Sequence, residues 1–82
     1  MDENAMVGRV NLAEIQSIFG VQIRISVDSN LGLYHIMVSK EPIYKHNVLT
    51  ESMVKDMDDE SLMLAMKNFA KEVFDEYCKH IF

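Results

Sequence analysis

Hydrophobic residues along the chain change their period twice, and the changes mark its elements. Leu12, Ile15, Ile18 and Phe19 recur at helical spacing. Asn11 precedes them and can accept a hydrogen bond from a first-turn amide, Glu14 stands three residues on and can reach back, and Gly20 can take a left-handed cap. A short helix over Leu12–Phe19 is predicted. The period then becomes two: Val21, Ile23, Ile25 and Val27 alternate with Gln22, Arg24 and Ser26, the pattern of a strand with one buried face. Asp28, Ser29, Asn30 and Gly32 supply turn chemistry, and residues 33–39 resume an extended run, which predicts a hairpin. Pro42 can open a turn but cannot donate to a ladder, so a third strand over residues 43–49 starts after it and sits at an edge. Thr50 and Glu51 open a short helical turn that runs through Lys55.

Residues 58–82 return to helical spacing and give the strongest element. Leu62, Met66, Phe69, Ala70, Val73, Tyr77 and Ile81 share one arc of the helical wheel, and Met63, Phe74 and Cys78 widen it to about half the circumference. Asp56, Asp58, Asp59 and Glu60 stand at the start of this helix and Lys79 and His80 at its end, each complementing the local pole of the dipole. The order α-β-β-β-α predicts an α+β domain of two layers, with a short N-terminal helix, an antiparallel sheet of two or three strands and a long amphipathic C-terminal helix packed on it. The first eight residues show no period, so residues 1–10 are expected to form a flexible N-terminal tail and residues 11–82 a single domain.

Composition narrows what such a domain can do. The 82 residues carry a net charge of −5. Residues 1–50 hold 4 basic and 5 acidic groups and residues 51–82 hold 4 and 8, so the acidity belongs to the C-terminal part. Phosphate backbones are bound by clustered Lys and Arg, and no such cluster is present. With one cysteine, Cys78, no intrachain disulfide can form, which fits a reducing compartment. The first residues lack the basic and apolar regions of a secretory signal, and no apolar run reaches the ~18 residues of a membrane span. A cytoplasmic protein without a membrane partner is expected.

Candidate chemistry is sparse. His35, His46, His80 and Cys78 are the only candidates for transition-metal ligands apart from carboxylates. Cys78 and His80 project about 200° apart on a helix and cannot share an ion through it. The hairpin reading puts His35 on the open face and His46 in the edge strand. The acids at residues 56–60 lack the spacing and glycine of a calcium loop. Gly8, Gly20 and Gly32 are isolated, so no phosphate-binding loop exists, and no hydrolase or metalloprotease motif occurs. No catalysis, metal or cofactor is expected.

Three resemblances bear on function. Residues 11–26, NLAEIQSIFGVQIRIS, are similar to the second helix and following strand of a KH domain. That family clamps single-stranded nucleic acid with a GXXG loop, and the matching Gly8, Arg9, Val10 and Asn11 keep only the first glycine. The stretch LAEIQSIFGV resembles the first helix and turn of a helix-turn-helix, although the β-branched alternation after it suits a strand. The element order resembles that of double-stranded RNA-binding domains, which open their last helix with lysines where this chain has acids. The expectation from the residues is a small regulator, inhibitor or accessory protein, of the kind phages encode, that binds a protein partner or a second copy of itself. Because the C-terminal helix offers about 180° of apolar face where ~100° covers a sheet, Phe74, Cys78 and Phe82 are its candidate contact residues. The alternative is a KH-like or double-stranded-RNA-binding-like domain using Arg9, Arg24, Lys40 and Lys45.

Overall fold

The computed structural model describes Asp2 and residues 4–82. Its elements are α1 (Asn4–Val7), α2 (Leu12–Phe19), β1 (Gln22–Asp28), β2 (Leu33–Lys40), β3 (Ile43–Thr50), α3 (Glu51–Asp56) and α4 (Asp59–Ile81). The strands form one antiparallel sheet in the order β1-β2-β3, so the third strand is present and β2 lies at the centre. Helix α4 lies against β2 and β3, α2 lies against β1, and the two helices touch each other. Both layers of the expected α+β domain are thus in place.

Local chemistry sets the boundaries. Asn11 Oδ1 accepts from the Glu14 amide to start α2, and Gly20 ends it at φ 62°, a left-handed conformation that a side chain disfavours. A Cβ there would also meet Lys40 Nζ at 2.6 Å. Asp28 Oδ1 accepts from the amides of Asn30 and Leu31, closing the first hairpin turn. Thr50 caps α3 through the Met53 amide, and Asp58 caps α4 through the Ser61 amide.

Strand alternation then divides the sheet. Ile23, Ile25 and Val27 pair with Val38, Ile36 and Tyr34, and Tyr34 pairs with Leu49, all on the helix-covered face. Ile36, Val38, Leu62, Met66, Ala70 and Val73 are fully buried between the layers. Asn47 occupies the same face opposite Ile36, and its Nδ2 is buried without a hydrogen-bond partner among the described residues.

Of residues 1–10, expected to form a flexible tail, Met1 and Glu3 lie outside the described residues. Met6, in α1, is fully buried in the core. Arg9 donates from Nε to Asp59 Oδ1 at 2.7 Å, from one terminal nitrogen to the Val54 carbonyl at 2.7 Å and from the other to the Met57 carbonyl. One guanidinium thereby satisfies carbonyls that the end of α3 leaves free and ties the N-terminal segment to the α3–α4 junction. Four helical residues are too few to show a period, which is why the sequence pattern missed them.

Candidate interaction surface

The second face of the sheet has no covering layer. It carries Gln22, Arg24, Ser26 and Asp28 from β1, Leu33, His35, Met37 and Ser39 from β2, and Tyr44, His46, Val48 and Thr50 from β3. Open faces of antiparallel sheets are commonly polar, whereas this one alternates polar with apolar groups. Tyr44 is 60% and Val48 45% exposed, and Leu33 and Met37 are half-buried. Two rows cross its middle. Arg24, Met37 and His46 form one, and Ser26, His35 and Val48 form the next. Neither row contains a carboxylate.

His35 and His46 meet at the centre. Nδ1 of His35 and Nε2 of His46 are hydrogen-bonded at 2.8 Å, and the ring centroids are 4.9 Å apart with planes tilted by 32°. Eleven residues apart in sequence, the two histidines carry no spacing signal that joins them. Their meeting depends on register: the two-residue turn at Glu41 and Pro42 sets His35 opposite Val48 and Met37 opposite His46, which makes the histidines diagonal neighbours. Pro42 was the signal that could have located the pair. Among the described residues, no group of three or more His, Cys, Asp or Glu side chains is placed to hold a metal ion.

The predicted contact residues of the C-terminal helix are separated by the fold. Phe74 is half-buried, its ring edge-on to Phe19 of α2 at 5.9 Å. Cys78 is half-buried as well. Phe82 is 99% exposed and Ile81 51% exposed. Helix α2 therefore consumes much of the wide apolar arc, and only its final turn projects into solvent.

The cations proposed for nucleic acid are mostly occupied. Arg9 is held at the α3–α4 junction. Lys40 Nζ donates to the carbonyls of Phe19 and Gly20 at the end of α2 and lies 4.6 Å from the Tyr77 ring centroid. Lys45 pairs with Glu76 of α4 at 3.0 Å. Arg24 alone of the four stands on the open face, which is far from the several phosphate contacts a nucleic-acid site needs. A shallow cleft of about 490 Å³ lies at the β2–β3 turn, bordered by Gly20, Gln22, Lys40, Pro42 and Tyr44, and its lysine is the one engaged with α2. Among the described residues, no helix is long and apolar enough to cross a membrane.

No family model matches the chain, and no curated protein or solved structure matches it at a significant level.

Proposed function

We propose that this is a small non-catalytic interaction module, a regulator or accessory protein, that pairs with a second copy of itself through the uncovered face of its sheet. The observation that carries this reading is the composition of the two middle rows: Met37 and Val48 lie among His35, His46, Arg24 and Ser26, with no acid. In a chain of net charge −5, two copies stacked over these middle rows keep carboxylates out of the centre of the contact, the acid of this face, Asp28, lying in the end row with Leu33 and Thr50. Sheets stacked face to face at about 10 Å would then interdigitate these side chains, with one helical layer on each outer side.

The face is small. It presents fewer side chains than the roughly 20–30 residues per partner of a standard interface, so a reversible dimer with a dissociation constant on the order of micromolar or weaker is expected. Sedimentation equilibrium tests the reading. The wild type should show a mass rising from one chain toward two between micromolar and millimolar concentration. Val48→Glu, at an exposed position, should remain monomeric with an unchanged circular dichroism spectrum. A wild-type mass of one chain throughout would exclude the dimer.

A further inference from the structure

Two imidazoles and a thioether share the centre of the open face. His35 and His46 place ring nitrogens 2.8 Å apart, and Met37 stands directly opposite His46 and two residues from His35 on the same side of β2. Directly opposed residues have Cβ atoms about 4.5–5.5 Å apart, within reach of a flexible methionine.

We propose that His35 and His46, with Met37 beside them, form a copper-binding site. The two facing nitrogens are in hydrogen-bond contact, so small rotations of the rings bring both to one ion. Donor type favours copper: imidazole serves Cu(II), thioether adds affinity for Cu(I), and copper heads the stability order for divalent ions at such donors. In the hydrogen-bonded pair one of the two facing nitrogens carries a proton. Copper displaces it, that ring is reprotonated from solvent at its other nitrogen, and both facing lone pairs turn to the ion. Water completes the coordination. The site lies within one chain but on the face proposed above for the dimer, so ion and second copy compete for it, and the titration is made at low micromolar protein, where the weak dimer is dissociated.

Titration of protein without a histidine tag by Cu(II) in a weakly competing buffer, followed by isothermal calorimetry and electron paramagnetic resonance, tests the site. One equivalent should bind with a tetragonal spectrum showing two nitrogen ligands. His35→Gln and His46→Gln should each weaken binding by about an order of magnitude or more, since even supporting residues of metal sites are worth about 10–100-fold. His80→Gln should bind as the wild type does. Under reducing conditions, Met37→Leu should weaken Cu(I) binding while leaving Cu(II) binding within about twofold, because thioethers prefer the softer ion. Both histidines lie on the solvent side of the sheet, and unchanged circular dichroism spectra will show that the variants fold. Absence of one-equivalent binding, or binding undiminished in both His35→Gln and His46→Gln, would overturn the assignment.

Discussion

Arg9 and Asn47 show how single side chains decide stability in a domain with little to spare. Arg9 is 26% exposed and makes three hydrogen bonds across the α3–α4 junction, two of them to carbonyls. Charge-assisted bonds of this kind are worth about 1.5–3 kcal/mol, so Arg9→Ala should lower the free energy of unfolding by roughly 2 kcal/mol. Lysine cannot reproduce the planar fork, and Arg9→Lys should recover less than half of that loss in urea denaturation. Asn47 poses the opposite case. An unsatisfied buried donor costs about 1–3 kcal/mol, and a β-branched residue suits a strand, so Asn47→Val should stabilise the fold by about 1 kcal/mol. An equal or lower urea midpoint in Asn47→Val would contradict this. Neither role was legible in the sequence, because both depend on contacts between residues distant along the chain. In the sequence Arg9 is one cation among the possible phosphate ligands, and Asn47 carries no signal beyond its place in an alternating strand.

Elements were far more legible than these contacts. Helix α2 matches its expected span because a cap, a period and a terminal glycine agree there, and β1, β2 and β3 fall within a residue or so of expectation. For α4 the wheel correctly marked Leu62, Met66, Ala70 and Val73 as buried. It could not tell where the covering layer stops. Twenty-three helical residues span about 35 Å at 1.5 Å each, whereas an eight-residue strand spans about 26 Å, so the last turn overhangs and exposes Ile81 and Phe82. The start of α4 carries a pH dependence. Bonds to Asp58 from the Ser61 backbone amide and then its hydroxyl, with a smaller contribution from Arg9, hold the Asp58 carboxyl below its ordinary value of 3.8. Glu51 is lowered likewise by the hydrogen bond and charge of Lys55. A carboxylate whose folded value is depressed stabilises fully above its unfolded value and loses that contribution as pH falls through the lower folded value. The difference in melting temperature between the wild type and Asp58→Ala should therefore be constant near neutrality and shrink below about pH 4. A difference that widens in acid would contradict the cap.

At the scale of the whole molecule, the accessible surface of 5108 Å² nearly equals the roughly 5,000 Å² expected for a compact monomer of 9.5 kDa. The chain thus exposes no more surface than a monomer of its size, which fits a dimer that is an added, reversible association. This also alters the significance of the wide apolar arc on α4. Its excess width faces α2 through Phe74 and Phe19, while the surface left without a layer is on the other side of the sheet. Methyl NMR distinguishes the two sides directly, because Leu33, Met37 and Val48 report the open face and Leu64 and Ile81 report exposed positions on the terminal helix. In a dilution series from millimolar to micromolar protein, the account predicts concentration-dependent shifts at Leu33, Met37 and Val48, with Leu64 and Ile81 unmoved. Shifts confined to Ile81 and its neighbours, or no shifts at all, would contradict it.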